Sequence, residues 1–290
     1  MSNPWLLAAR IRTLPASVAP VLVGTALAVR AGSFSLLPFL ATLATAVLLQ
    51  IGANYSNDVF DFLKGADKAR QGPARVTQSG LLSPKQMLIG TAVVFVLAAL
   101  MGLYLVGVGG WVILAIGVFA ILAALAYTAG PFPLAYHGLG DLFAFLFFGI
   151  IAINGTYYIQ AHHFTWLSLV ASVPTALLVM NIITVNNLRD IDTDKTVNKN
   201  TLAVRIGDRN SRIEYTLSTV LAFLIPLALA IVLGYWLLVI PVFVAPVAYK
   251  LVGDMWKTPR SPALNPILGR TAQFNLWFAI LFSLGLLIKF

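Results

Sequence analysis

The chain has 290 residues, of which 59% are hydrophobic and only 10% are charged. In soluble domains about a quarter of all residues are charged, so this composition excludes an ordinary soluble domain. The absence of cysteine excludes disulfides and thiolate metal sites. The formal net charge of +9 suits anionic lipid headgroups or an anionic substrate. Nucleic-acid binding is disfavoured because the basic residues lie in loops between apolar stretches.

Nine apolar stretches approach the roughly 20 residues that a membrane-spanning helix needs. The first stretch follows Arg10 and Arg12 without a small-residue cleavage site, which favours an uncleaved span over a signal peptide. No linker is long enough to separate domains. The sequence therefore predicts an all-α polytopic membrane protein, with residues 1–290 forming one domain and nine transmembrane helices in one bundle. The stretches cover residues 14–31, 36–56, 86–107, 110–128, 138–159, 164–187, 213–233, 235–252 and 271–289.

The basic residues predict the orientation of the chain, because Lys and Arg mark cytoplasmic loops. With the N-terminus in the cytoplasm, every Lys and Arg except Arg30 and Lys289 falls on the cytoplasmic side, together with all ten acidic residues. The three long connections, at about 57–85, 188–212 and 253–270, lie on the same side. Long polar loops often carry function, so the site is expected at the cytoplasmic face.

Six of the ten acidic residues fall in two short segments, 54–67 and 186–195, where the second and sixth apolar stretches end. A carboxylate near a membrane is unfavourable unless another group compensates its charge. Side chains three or four positions apart share a helix face. The spacing therefore stacks Asn54, Asp58 and Asp61 on one face of the second helix.

The second segment repeats this arrangement with Asn186, Asp190 and Asp194, and Asn187 borders the same face. Asp192 is two residues from Asp190, about 200° around a helix, and is expected to face away. The repetition predicts one site built from two helix ends. Ordinary solvated charges at two helix ends are the alternative.

A divalent cation is the natural partner of two carboxylate faces, because like charges that face one another raise each other's pKa. Mg²⁺ accepts carboxylate and amide oxygens and completes its shell with water and substrate phosphates. The spacing therefore predicts a receptor for a metal-chelated diphosphate. Flanking basic side chains are expected to neutralise the remaining phosphate charge; they are Lys64, Arg70, Arg75, Arg189, Lys195, Lys199 and Arg205.

These motifs resemble those of the UbiA-type intramembrane prenyltransferases, which have nine helices and aspartate-rich motifs after helices two and six. The resemblance covers nearly the whole chain, and within the superfamily the sequence is most similar to the MenA-type 1,4-dihydroxy-2-naphthoate polyprenyltransferases. The stretches that carry it are Arg12-Thr-Leu-Pro15, Asn57-Asp58-x2-Asp61-x3-Gly65-x-Asp67, Gly72-Pro-x-Arg75-Val-Thr-Gln-Ser-Gly80, Tyr127-Thr-x-Gly130-Pro, Tyr136-x-Gly138-Leu-Gly140-Asp141, Asn186-Asn-x-Arg189-Asp190-x3-Asp194 and Lys199-Asn-Thr201-Leu-Ala-Val-Arg205-x-Gly207.

One position separates the branches of the superfamily. The 4-hydroxybenzoate branch usually has an Asp-Arg pair in its first motif, whereas Phe62 follows Asp61 here, which favours the naphthoate branch. The first motif also lacks an acid at position 62, so either Asp61 or Asp67 must complete it.

The resemblance implies transfer of a polyprenyl group from polyprenyl diphosphate to 1,4-dihydroxy-2-naphthoate, with loss of CO₂ and pyrophosphate, to give demethylmenaquinone. It also implies a location in a prokaryotic cytoplasmic (inner) membrane, among lipids. Two Mg²⁺ ions bridging the diphosphate would be held by Asp58, Asp61, Asp67, Asp190 and Asp194.

The same resemblance assigns roles to further side chains. The aspartates Asp58, Asp61, Asp190 and Asp194 would be catalytic, and Tyr127 would stabilise an allylic cation with its ring face, although tyrosine is also a common membrane anchor. The expected substrate-binding residues are Asn54, Lys64, Arg75, Tyr136, Asp141, Asn186, Arg189, Lys195, Lys199 and Arg205.

Three other functions compete with this interpretation. Transfer to another aromatic acceptor, such as 4-hydroxybenzoate or homogentisate, differs only in the second substrate. A secondary transporter is disfavoured because transporters place ionisable groups near the bilayer midplane, whereas these acids lie at one face. A CDP-alcohol phosphotransferase would need an Asp-Gly-x2-Ala-Arg signature, which the sequence lacks.

Overall fold

The structure is a computed structural model that describes residues 3–66, 71–73 and 75–288. These residues form helices, turns and loops and no strand. Proline or a capping side chain marks most of the helix starts, as at Ser83 and Thr165, whose hydroxyls accept the N–H groups of Gln86 and Ser168. The helices are α1 (Pro4–Ala9), α2 (Pro15–Arg30), α3 (Leu36–Leu63), α4 (Pro84–Ala126), α5 (Gly140–Ala161), α6 (Trp166–Thr196), α7 (Leu202–Leu233), α8 (Trp236–Lys257) and α9 (Pro262–Leu287).

Seven of these helices, α3 to α9, are long and apolar enough to cross a membrane. An eighth span is added if Pro4–Thr13, which contains α1, and α2 count as one broken span, with a bend of 50° between them. Large apolar side chains such as Leu103, Trp111 and Phe243 are exposed on the periphery, as expected where lipid is the solvent. The chain is therefore a multi-pass membrane protein.

The two predicted stretches 86–107 and 110–128 both lie in α4, where two helical segments join at a kink. With 43 residues, a straight α4 would be about 65 Å long, twice the roughly 30 Å thickness of a bilayer core. Gly110 interrupts it with φ 67° and ψ −157°, a conformation that glycine adopts without a Cβ clash. Both ends of α4 lie near the end of α3, since Met87 packs with Tyr55 and Thr128 binds Asn57.

The centre of the bundle is α6, which packs against α2, α5, α7 and α9. Its apolar side chains, including Leu178, Val185 and Leu188, are fully buried in the largest core cluster. Close packing of α5 on α6 depends on Gly149, because a Cβ there would overlap the Cβ of Ala176. Gly149 lies in a π-helical segment, Ala144–Ile151, a local widening that is often found near functional sites.

Two helices continue past their predicted ends and thereby position the acidic residues. The second predicted stretch ends at residue 56, but α3 continues to Leu63 and carries Asp58 and Asp61 on its last turns. The sixth ends at residue 187, but α6 continues to Thr196. These last turns are polar because they leave the apolar layer. Four of their carboxylates are buried between the helix ends, those of Asp58, Asp61, Asp190 and Asp194.

Candidate active site

Lys199 connects the two acidic segments. The Nζ of Lys199, which follows α6, lies 3.8 Å from Oδ2 of Asp61 on α3 and 3.6 Å from Oδ1 of Asp194 on α6. Both carboxylates are buried. Helix ends that are distant in the chain thus contribute to one site, as the repeated spacing predicts.

Asp61 contacts side chains from three other parts of the chain. Its Oδ2 accepts a hydrogen bond from Nη2 of Arg75 at 2.7 Å, and its Oδ1 accepts one from the hydroxyl of Tyr136 at 3.0 Å. With Lys199 as a third partner, this buried carboxylate is fully compensated. Charge-assisted hydrogen bonds of this kind are about twice as strong as neutral ones.

The ring of Tyr136 lies between two lysines. The Nζ of Lys64 is 4.7 Å and that of Lys199 is 5.5 Å from the ring centroid, within the range of cation–π attraction. Burial, followed by the charge of Asp61, raises the pKa of Tyr136 above its ordinary range, so the hydroxyl stays a donor to that carboxylate. Desolvation lowers the pKa of Lys64, whose ammonium also donates to the carbonyl of Thr128 at 2.6 Å.

Asp58 holds the loop that follows α3. Its Oδ2 accepts the backbone N–H of Val76 at 3.1 Å and its Oδ1 accepts that of Thr77 at 3.0 Å. Arg75, next to them, also donates to the carbonyl of Asn57. Both oxygens of Asp58 thus organise the segment that delivers Arg75 to Asp61, and a metal-binding role for Asp58 stays a prediction.

The second segment is held by Arg189, whose guanidinium is buried. It donates from Nε to Asp190 at 2.8 Å, from Nη2 to Asn186 at 2.8 Å and from Nη1 to Asn265 of α9 at 2.7 Å. By contrast, Oδ2 of Asp194 is buried and has no hydrogen-bond partner. A buried carboxylate oxygen without a hydrogen bond is destabilising, and this oxygen can accept a ligand.

Tyr127 and Asp141 meet where α4 leads into α5. Asp141 accepts hydrogen bonds from Asn187 at 3.2 Å and Thr184 at 3.4 Å, which ties α5 to α6. The Tyr127 hydroxyl packs on the start of α5, only 2.9 Å from where a Cβ on Gly140 would lie. Burial raises the pKa of Tyr127 above its ordinary range, and the nearby Asp141 adds to this effect.

Three of the predicted positions, Asn54, Lys195 and Arg205, lie apart from this cluster or use their groups differently. Asn54 donates its amide to the carbonyl of Ala9 at 2.9 Å and so anchors the segment before α2. Lys195 is exposed, and so is Arg205, whose Nε donates to the carbonyl of Asn200. Asp67 and Arg70 lie outside the described residues.

The prediction that Asp192 faces away is confirmed. Its side chain is exposed, and both of its oxygens accept hydrogen bonds from Nη2 of Arg260 at 2.8 Å. The pair lies at the surface, whereas Asp190 and Asp194 on the same helix are buried.

One large cavity, about 940 Å³, leads from the site into the bundle. Charged and amide side chains line one end, among them Asp61, Arg75 and Lys199, and apolar side chains such as Ile113 and Phe147 line most of the remainder. Several polar side chains line the cavity although the sequence did not predict them at the site, and some of them stand inside the quoted motifs. They are Arg10, Arg12, Asn57, Thr128 and Asn265.

The donor set of this site is chemically suited to Mg²⁺. Within the described ranges, no group of three or more His, Cys, Asp or Glu side chains is gathered closely enough to hold a metal ion. However, Asp61 and Asp194 face the same ammonium group from two helices, and Asp194 keeps one oxygen without a partner. Carboxylates that converge on one positive charge fit a hard cation.

The family model of the UbiA prenyltransferase family matches residues 17–277 of the chain. The chain belongs to this family. It is 35% identical to the 1,4-dihydroxy-2-naphthoate octaprenyltransferase of Haemophilus influenzae, with 98% of this chain and 96% of the relative covered. It is 37% identical to the enzyme of that name from Mycobacterium tuberculosis, with 95% and 94% covered.

Solved structures of the UbiA family share the fold. The UbiA homologue of Aeropyrum pernix K1 superimposes with a TM-score of 0.71 at 17% identity, covering 95% of this chain and 97% of the other. A UbiA homologue of Archaeoglobus fulgidus, bound to GPP and Mg²⁺, gives a TM-score of 0.61 at 13% identity, covering 97% and 100%. At these identities the likeness concerns the fold.

Proposed function

We propose that the protein transfers a polyprenyl group from polyprenyl diphosphate to 1,4-dihydroxy-2-naphthoate, with Mg²⁺ as cofactor, and releases pyrophosphate and CO₂. The observation that carries this proposal is the convergence of Asp61 and Asp194 on Lys199 at the polar end of a large apolar cavity. The near-full-length likeness to naphthoate octaprenyltransferases supports the choice of acceptor.

The polar end of the cavity is suited to a diphosphate. Two Mg²⁺ ions would be held by Asp58, Asp61, Asp67, Asp190 and Asp194 and would supply Lewis-acid stabilisation of the leaving pyrophosphate. Arg75 and Lys199, which now compensate Asp61, would turn to the phosphate oxygens. Tyr136 would hold Asp61 in place through its hydrogen bond.

The reaction then follows from charge stabilisation at the polar end. The bond between C1 of the prenyl group and the diphosphate oxygen breaks, and its electron pair leaves with pyrophosphate. Positive charge develops at C1, near the ring face of Tyr127, which stabilises a cation. The electron-rich naphthoate ring attacks C1. The bond to its carboxylate breaks, CO₂ leaves, and the electron pair returns to the ring.

The apolar part of the cavity would hold the hydrocarbon tail. Side chains of α2, α3, α4 and α5 line it, including Val21, Leu49, Leu105 and Ile159. Burying each CH₂ group of a prenyl chain in such surroundings contributes about 0.8 kcal/mol. A lipid-soluble substrate thereby explains why the site is embedded in a membrane.

The proposed topology has nine spans, a cytoplasmic N-terminus and an active site at the cytoplasmic face of the prokaryotic inner membrane. The reversal of α4 at Gly110 supports nine spans, because both of its ends lie beside the end of α3. The accumulation of Lys and Arg on the side of the site supports the orientation.

The test uses purified protein in liposomes with a polyprenyl diphosphate, Mg²⁺ and a panel of aromatic acids. We expect prenylated product and release of labelled CO₂ from carboxyl-labelled 1,4-dihydroxy-2-naphthoate, and no product from 4-hydroxybenzoate or homogentisate. If only 4-hydroxybenzoate or only homogentisate gives product, that compound is the acceptor and 1,4-dihydroxy-2-naphthoate is not. Substrate movement across a bilayer without pyrophosphate release would instead indicate a transporter.

A further inference from the structure

Gln50 is a buried amide on the wall of the cavity. It lies on α3, one helical turn before Asn54 and two before Asn57, so that the three side chains share a face. It is 8% exposed and lines the cavity. Its Oε1 is buried and has no hydrogen-bond partner.

Another glutamine of the bundle shows what a structural amide does in this fold. Gln160 on α5 is also 8% exposed. Its Oε1 accepts the backbone N–H of Ser35 at 2.7 Å, and its Nε2 donates to the carbonyl of Ser35 at 3.0 Å. Interhelical bonds of this kind are the ordinary role of an amide in a membrane helix. The carbonyl oxygen of Gln50 makes no such bond, although a buried polar group without a partner is destabilising by about 1–3 kcal/mol.

The chemistry of the unsatisfied atom restricts its ligand. A carbonyl oxygen accepts hydrogen bonds, so its partner must donate one. A prenyl tail carries no donor, and a carboxylate or diphosphate oxygen only accepts. Among the substrates of the proposed reaction, the remaining donor is a ring hydroxyl of the aromatic acceptor.

We propose that Gln50 binds a ring hydroxyl of the aromatic acceptor and thereby determines both its orientation and its selection. The inference rests on the proposed function. With a hydroxyl at Gln50, the acceptor ring lies between α3 and the other cavity walls. Its carboxylate then points to the basic end of the cavity, near Arg10, Arg12 and Arg75.

The experiment compares the wild-type protein with Gln50→Leu, using 1,4-dihydroxy-2-naphthoate and naphthoates that lack either hydroxyl. We expect the variant to raise KM for the dihydroxy acceptor about tenfold, the effect of one lost hydrogen bond to a buried group, with KM for the prenyl diphosphate unchanged. With the analogue that lacks the contacted hydroxyl, wild type and variant should have the same KM.

Two outcomes would overturn the role of Gln50. One is an acceptor KM that is unchanged in the variant. The other is an equal rise in KM for all three acceptors, which a purely structural role would produce. Gln50→Met, closer in volume to glutamine, provides the same comparison if the leucine variant folds poorly. A wild-type protein that prenylates no aromatic acid would refute the proposed function itself, which separates the two failures.

Discussion

Lys199 and Asp61 form a contact of 3.8 Å between the end of α6 and the end of α3. Because Lys199 also lies 3.6 Å from Asp194, one ammonium group occupies the position between carboxylates of the two acidic segments. A cation that binds there must displace or rearrange this lysine. The same lysine therefore holds the two helix ends together and has to move when a cation binds between them.

Asp194→Asn should abolish turnover, and Asp192→Asn should not. Asp194 is buried with one oxygen unpaired, whereas Asp192 is exposed in a surface pair with Arg260. Loss of a group that stabilises developing charge typically reduces kcat by 10²–10³. An exposed ion pair contributes about 0–1 kcal/mol. Steady-state kinetics of both variants check this, and equal losses would contradict the assignment.

Removal of divalent cations should abolish turnover without unfolding the protein. The buried carboxylates already have protein partners, Arg75 for Asp61 and Arg189 for Asp190, so the fold does not depend on a metal for charge compensation. A chelator should stop pyrophosphate release, added Mg²⁺ should restore it, and the thermal midpoint should stay within experimental error. A fall of several degrees with chelator would show that the ion is part of the folded structure.

Tyr136→Phe and Tyr136→Leu should separate the two roles of this side chain. The Phe variant loses only the hydrogen bond to Asp61, worth about 1 kcal/mol, so kcat/KM for the prenyl diphosphate should fall about fivefold. The Leu variant also loses the ring beside Lys64 and Lys199, which adds about 0.5–1 kcal/mol. Kinetics with varied prenyl diphosphate measure both values. Identical losses would exclude a contribution from the ring.

Gly149→Ala should destabilise the bundle, with Gly253→Ala as its control. A Cβ at Gly149 overlaps Ala176 of α6, whereas one at Gly253 in α8 meets nothing within 4 Å. Overpacking of a tight interface costs about 1–3 kcal/mol, while replacing an unhindered helical glycine by alanine gains up to about 1 kcal/mol. Thermal unfolding in detergent should show a lower midpoint for the first variant only. A similar decrease for both would contradict the packing argument.

Sequence periodicity predicted where the acidic side chains of the site lie, but not which hydrogen bonds they make. The spacing of Asp58, Asp61, Asp190 and Asp194 placed them on two helix faces, because that spacing depends only on helical geometry. It did not indicate that Asp58 uses both oxygens on the loop after α3. That arrangement depends on how the loop returns to the helix, and no local rule encodes it.

The number of spans shows a second limit. Hydropathy predicted two separate stretches around Gly110, and the structure has two helical segments that join at this single non-helical residue. Hydropathy shows which residues are apolar, but it does not predict whether a turn interrupts the helical hydrogen bonds. That the chain reverses its direction within α4 follows only from the tertiary structure, in which both ends of α4 lie beside the end of α3.

By itself, the sequence determined the helical membrane architecture, the two acidic helix faces and the outward orientation of Asp192, since hydrophobicity and helical spacing are local properties. Only the tertiary structure decided which charges pair and which polar groups stay unsatisfied. Gln50 and Gln160 are the same residue type with the same exposure, yet only the carbonyl of Gln160 is hydrogen-bonded. The difference arises because a hydrogen bond needs a partner on a neighbouring helix, and the partner's position follows from the packing of the whole bundle.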